Sequence, residues 1–148
     1  MASIHFFVEE ISFKFSQKRI HRQWIEKAIA NENKQAGELN FIFCSDTYLL
    51  HINKTFLNHN TLTDIITFPI DSAQLLQPNR AKENTISGEI YISIDRVKEN
   101  AEKFSTEFHQ ELKRVLIHGV MHLCGYGDKS PSEAKTMRAK EEFYLKHF

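Results

Sequence analysis

The chain is poor in most residues that mark a special class of protein. Its two cysteines, Cys44 and Cys124, cannot make a disulfide scaffold. Five glycines and three prolines are too few for a fibrous or low-complexity chain. Charge of one sign is missing: 19 basic residues face 19 acidic ones, for a net charge of +0. No overall field therefore draws the molecule to nucleic acid, and an RNA substrate would need a local patch or a metal ion. Apolar runs long enough to span a bilayer are absent, which argues against a membrane partner. The opening residues, Met1 to Val8, have no basic region and reach Glu9 too soon for a secretion signal, so a cytoplasmic protein is expected.

What remains is a composition of ordinary globular type. Hydrophobic residues are 41% and charged residues 26% of 148, enough for one domain over residues 1–148 with a sizeable core. Twelve phenylalanines are expected mainly in that core.

The pattern alternates short strands and helices. Ile4–Val8 and Ile11–Phe15 read as strands. Ser16 is the expected cap of a helix to about Asn33, with Ile20, Trp24, Ile25, Ala28 and Ile29 on its apolar face. Leu39–Cys44 reads as a buried strand. Ser45 or Asp46 then caps a helix with Tyr48, Leu49, Ile52 and Phe56 inward. Thr63–Phe68 and Gly88–Ser93 are further strands, and Asp71–Ser87 between them reads as a surface loop. Asp95 is expected to cap a helix to Phe104, and Ser105 or Thr106 a longer one carrying Leu112 to Leu123. Ser130-Pro131-Ser132-Glu133 is a capping box opening the last helix. The expected fold is one α+β domain with about four strands and four to five helices.

Chemistry concentrates in His118-Gly-Val-Met-His122-Leu-Cys-Gly125-Tyr-Gly-Asp128. Histidines four apart on a helix share a face and can reach one ion. Eight histidines would give roughly 0.4 such pairs by chance, so the spacing alone decides little. The surroundings add weight. Val115, Leu116, Ile117, Val120, Met121 and Leu123 make the helix apolar all round, and unpartnered buried imidazoles are costly. Gly119 disfavours a helix, which implies that a ligand or another backbone comes close. Gly125 ends the helix in time to return a third ligand. Spacing favours Asp128 for that place. Cys124 and Tyr126 are nearer in sequence, and His51, His59 and His109 remain open to it. Zinc held this way would lower the pKa of a bound water to about 7. Zinc proteases place a glutamate base directly after the first histidine, and here that residue is Gly119, which argues against a zincin-like metallopeptidase.

These residues resemble the YbeY family of metal-dependent endoribonucleases, whose signature is His-Gly-x-Leu-His-Leu-x-Gly-Tyr-Asp-His. Three further stretches are similar to the family's motifs in order: Asn53 onward to Thr63-Asp64-Ile-Ile-Thr-Phe68-Pro69, then Gly88-Glu89-Ile90-Tyr-Ile92-Ser93, and finally Glu111, Glu133 and Met137 around the histidines. The resemblance implies a four-stranded mixed sheet with a zincin-like metal cleft at one side and the histidine helix under the sheet. It implies His118, His122 and Asp128 as metal ligands, with Thr63, Asp64, Gly88 and Gly119 as cleft wall. It also implies single-strand-specific cleavage of ribosomal RNA precursors, a part in ribosome quality control, and association with the small ribosomal subunit or its proteins.

Two positions depart from the family. Asp128 replaces its third histidine, making the site harder and more anionic, so nickel, manganese or iron stand beside zinc. Leu57 stands where the family carries an arginine that would stabilise phosphoryl charge. Lys54, Lys129 and Arg114 are the candidates to replace it. The alternative function is a ribosome-associated metal-binding factor with weak or no catalysis.

Overall fold

A parallel unit starts the chain. Strand β1 (Ser3–Glu9) leads through helix α1 (Lys18–Asn31) to strand β2 (Gln35–Cys44), paired parallel from Ser3↔Glu38 to Glu9↔Cys44. Helix α2 (Asp46–Leu57), strand β3 (Ile65–Pro69) and strand β4 (Thr85–Ser93) follow. Helices α3 (Ile94–Lys103), α4 (Phe108–Leu123) and α5 (Pro131–Lys146) complete the order. A computed structural model describes residues 3–59, 61–70 and 84–148. The sheet runs β1-β2-β4-β3, with β4 parallel to β2 and β3 antiparallel to β4. The expected α+β architecture with a mixed four-stranded sheet is what the chain forms, with five helices among the described residues.

Alternation along the strands sends side chains to two cores. Leu39, Phe41 and Phe43 of β2 with Ile90 and Ile92 of β4 meet Ile25 and Ile29 of α1 and Leu112, Leu116 and Val120 of α4. On the opposite face Cys44 and Ile66 meet Leu49 and Ile52 of α2, closed by Tyr48, Phe68 and Tyr91. β3 is an edge strand, so one side of its backbone is left for the cleft described below.

Two glycines set how closely α4 lies on the sheet. A Cβ on Gly119 would come 2.9 Å from Ile65 Cδ1 and 3.0 Å from Ile90 Cγ2. One on Gly88 would come 2.8 Å from the Phe68 carbonyl oxygen and 2.9 Å from Leu123 Cδ2. Both residues are buried in the helix–sheet contact. Neither is among the residues that line the cleft described below. The close neighbour that Gly119 implied is the sheet rather than a ligand.

Other expectations also change. Ile11–Phe15 is not a strand. Glu10 has a left-handed φ of 52°, which turns the chain away after β1. The alternation there comes from docking of Phe13 and Phe15 onto Phe43, with centroids 5.5 and 4.7 Å apart. Ile20 and Phe56, placed on apolar faces by periodicity, are 45% and 65% exposed. Helix α1 starts after a left-handed Gln17 with no side-chain cap, not at Ser16. Ser93 caps α3, because Asp95 instead accepts a hydrogen bond from the Asp46 amide at 2.9 Å. Glu107 precedes α4, since Ser105 is left-handed at φ 53°. The loop expected over Asp71–Ser87 gives way to β4 at Thr85, and residues 71–83 lie outside the described residues. Ser45 and the Ser130/Glu133 box cap α2 and α5 as expected.

The two glycines should respond differently to alanine. At 88 the added methyl meets a backbone oxygen that cannot move alone, costing about 1–3 kcal/mol. At 119 it meets the ends of isoleucine side chains, and the gain in helix propensity, about 1 kcal/mol, offsets part of the strain. Chemical denaturation should show Gly88→Ala as the more damaging change. An equal or larger loss for Gly119→Ala would contradict this packing.

Candidate metal centre

Helix α4 presents Glu111, Arg114, His118 and His122 along one stripe, at i, i+3, i+7 and i+11. The two imidazoles stand one turn apart with Nε2 atoms 2.9 Å from each other. After Leu123 the helix ends, and Gly125 at φ +107° reverses the chain. Asp128 then returns, with Oδ2 3.3 Å from His118 Nε2 and 3.5 Å from His122 Nε2. Among the described residues, His118, His122 and Asp128 form a group able to hold a metal ion.

The donor set fits a small divalent cation. Tetrahedral ligands about 2.0–2.1 Å from one ion stand about 3.3 Å apart, close to the two nitrogen–oxygen separations here. The two nitrogens at 2.9 Å are nearer than that, so an ion between them would part them slightly. Two imidazole nitrogens and a carboxylate oxygen, each able to offer a lone pair, thus converge on one point.

A residue remote in sequence orients the first ligand. Glu141 of α5 is 3% exposed and sits 2.7 Å from His118 Nδ1 through Oε2. That carboxylate accepts a hydrogen bond from Nδ1–H and leaves the Nε2 lone pair turned toward Asp128 and His122. Its other oxygen accepts from Arg114 Nη1 at 3.1 Å, and Arg114 also donates to Glu111, 2% exposed, from Nε at 2.9 Å and from Nη2. Burial pushes the His118 pKa down, but the bond and charge of Glu141 outweigh it, with Asp128 and Asp64 adding to a net rise. Burial likewise pushes Glu141 up, while His118 and Arg114 hold it below its ordinary value.

The group lies at one end of a cleft of about 740 Å³ between α4, the edge of β3 and the chain after α2. Thr63 and Asp64 line it, as do Leu57, His59 and Lys129. Asn53 shapes the loop beside it, donating from Nδ2 to the Thr61 carbonyl at 2.8 Å. Of the alternative third ligands, His59 lines the cleft but stands outside the group of His118, His122 and Asp128. His51 does not line the cleft, and His109 lines a different pocket. Burial pushes the Cys124 thiol up to about 11, and Tyr126 donates its hydroxyl to Glu32. Of the cations offered in place of the family arginine, Lys129 lines the cleft, Lys54 does not, and Arg114 is taken by its two glutamates.

Sequence reading missed Glu141 and the anchor that holds the Asp128 loop. A signal for the first existed: Met137, Glu141 and Tyr144 fall at i, i+4 and i+7 on a buried face, and a carboxylate there needs a partner. The second joins distant parts of the chain. Glu32, following α1, accepts from Tyr126 Oη at 2.6 Å, from Tyr144, and from Lys140 Nζ at 3.1 Å.

Comparisons with known proteins find relatives along nearly the whole chain. The family model described as "Endoribonuclease YbeY" matches residues 4–148. A protein of that name from Flavobacterium psychrophilum is 48% identical over 139 residues, covering 94% of this chain and 92% of the relative. One of the same name from Christiangramia forsetii is 50% identical over 139 residues, covering 94% and 90%. The solution structure of a Thermotoga maritima protein is 27% identical with a TM-score of 0.64, covering 97% of this chain and 87% of that one.

The Glu32 anchor predicts a pH effect. Burial pushes the Glu32 carboxyl up, but hydrogen bonds from Tyr126, Tyr144 and Lys140 outweigh it and hold the pKa below its ordinary value. A carboxylate depressed in the folded state stabilises above its unfolded pKa, and that contribution is lost as pH falls through the folded one. Glu32→Gln should therefore lower stability at neutral pH and flatten its decline as pH falls into the acid range. Denaturation midpoints across that range check it, and an unchanged acid slope would count against the anchor.

Proposed function

The chain belongs to the YbeY endoribonuclease family, and from that premise we propose that it is a metal-dependent endoribonuclease. Its substrate would be single-stranded ribosomal RNA or its precursors, cut in the cytoplasm during ribosome maturation and quality control. The small ribosomal subunit or its proteins would be its partners. The observation that carries the reading is the convergence of His118, His122 and Asp128 at the end of an open cleft walled by an edge strand.

In this reading His118, His122 and Asp128 would hold the ion, with His118 and His122 offering Nε2 and Asp128 Oδ2. Two imidazoles and a carboxylate suit zinc, with nickel, manganese or iron as alternatives. Such an ion supplies Lewis acidity, activating a water and polarising a phosphoryl oxygen. The chain's own residues do the rest. Glu141 keeps the Nδ1 proton on His118 and so fixes the ring and its tautomer. Lys129, the one lysine or arginine on the cleft wall among the described residues, is the cation available to face a phosphate. Thr63 and Asp64 border the space where the strand would lie; the Thr63 hydroxyl donates to the Ile65 carbonyl at 3.2 Å, which steadies that turn.

One observation favours a second reading, a ribosome-associated metal-binding factor with weak catalysis. Leu57 itself lines the cleft, so the family arginine is missing at the wall and not merely from a helix surface. A peptidase has no such support, because Gly119 packs on the sheet where a protease would carry its base.

Purified protein should carry about one divalent ion per chain and cleave single-stranded ribosomal RNA in a chelator-sensitive way. His122→Ala should lose both properties. Glu141→Gln should weaken metal affinity about 10–100-fold, as loss of an orienting partner does. Folded wild type without affinity for any of these metals at neutral pH would overturn the proposal, and metal binding without cleavage would favour the second reading.

Leu57→Arg should raise cleavage about tenfold or more, the worth of one charge-assisted hydrogen bond to the phosphoryl group. No gain, together with a loss in Lys129→Ala, would mean that Lys129 already serves that function.

A further inference from the structure

The cleft supplies little of the attraction that an RNA strand needs. Asp64 and Asp128 face it, and the chain as a whole is neutral. Positive charge is concentrated at the other end of α4. Lys14, Lys18, Arg19, His21 and Arg22 fall within nine residues that include no acidic one. The basic residues Lys18 and Arg19 occupy the first turn of α1, where the helix dipole is itself positive, with no acidic residue and no side-chain cap to offset it.

This stretch opens onto a pocket of about 330 Å³ separate from the cleft. Lys14, Ser16, His21, His109 and Lys113 line it, and no carboxylate does. His21 is 6% exposed. Its Nδ1 lies 2.8 Å from the Gln17 carbonyl oxygen, and no hydrogen bond among the described residues reaches its Nε2. Neither Lys14 nor Lys113 takes part in an ion pair among the described residues. Lys113 rests instead over the Phe148 ring, 3.9 Å from its centroid. Burial pushes the His21 pKa down against the pull of the Gln17 carbonyl, and the like charges of Lys113 and His109 add to the fall. The pocket thus gathers two lysines that take part in no ion pair among the described residues and two histidines, with no carboxylate side chain in its lining.

We propose that this pocket binds backbone phosphates of single-stranded RNA, as an anchoring site apart from the metal cleft. The proposal rests on the reading that the substrate is RNA. A chain of phosphates fits better than a single anion, because the positive surface continues past the pocket onto the exposed Lys18 and Arg19. Helix α4 connects the two sites: His109 precedes His118 by nine residues, about 14 Å along the axis. A strand held at both places would be pinned on either side of the same rigid element.

The test uses the full chain and a single-stranded RNA oligonucleotide, with chelator present during binding so that the RNA is not cut. Histidine ring resonances are followed during titration with that RNA, with inorganic phosphate and with polyglutamate. Wild type is compared with the Lys14→Ala, Lys113→Ala double variant. RNA should move the His21 and His109 signals. The variant should bind about tenfold more weakly at low salt, and its salt slope should fall by about 1.4, two phosphates at about 0.7 each for single strands. Cleavage at saturating RNA should stay within about twofold, since neither lysine touches the cleft. Wild type that cleaves RNA while these signals and the slope stay unchanged would overturn the pocket site and leave the function intact. Signals moved by phosphate or polyglutamate but not by RNA would also overturn it, marking a small-anion or acidic-protein site. Wild type that neither binds nor cleaves RNA would overturn both readings.

Discussion

Glu141 divides one buried carboxylate between two partners, and the candidate site depends on that division. One oxygen accepts from Arg114 and the other from His118 Nδ1–H. A carboxylate 3% exposed is tolerable only when both oxygens are engaged. Arg114 is in turn shared with Glu111, so two buried negative charges meet one guanidinium and one imidazole. Ion sets of this kind are weak sources of stability, because desolvation cancels most of the attraction. Their value here lies in direction. Helices α4 and α5 are locked in one register, and the His118 ring is turned so that Nε2 faces His122 and Asp128.

The rest of the fold serves the same arrangement. Gly88 and Gly119 let α4 settle close over β3 and β4, which brings its histidine stripe to the sheet edge, where the cleft opens. The Asp128 loop is held from the other side, by Tyr126 bonded to Glu32 across the molecule. The candidate metal ligands, sheet edge and loop are thus fixed by contacts that involve no ion. In the proposed function this rigidity prepares the site before metal arrives, and α4 extends from it to the basic pocket at the start of α1.

Local chemistry was legible in the sequence; partners far along the chain were not. The i, i+4 spacing of His118 and His122, with Gly125 behind them, predicted the side chains that meet, and the return of Asp128 followed from a six-residue offset. Ser45 and the Ser130 box were readable because caps act within one turn. Failures arose where tertiary contact overrode local pattern. Phe13 and Phe15 alternate like a strand but dock as rings beside Phe43 with no strand to pair with. Ile20 and Phe56 keep helical period past the point where the core ends. Asp95 resembles a cap until Asp46 from a distant helix claims it. Glu141 stands 23 positions from His118, and only the packing of α5 on α4 shows that the two are one unit.

The most direct test is a structure of the metal-loaded protein, with absorption spectroscopy at the metal edge to identify the ligands. One ion should be bound by Nε2 of His118, Nε2 of His122 and a carboxylate oxygen of Asp128, with Glu141 still on His118 Nδ1. An ion held through Nδ1 of His118, or a site that leaves Asp128 unbound, would contradict this arrangement.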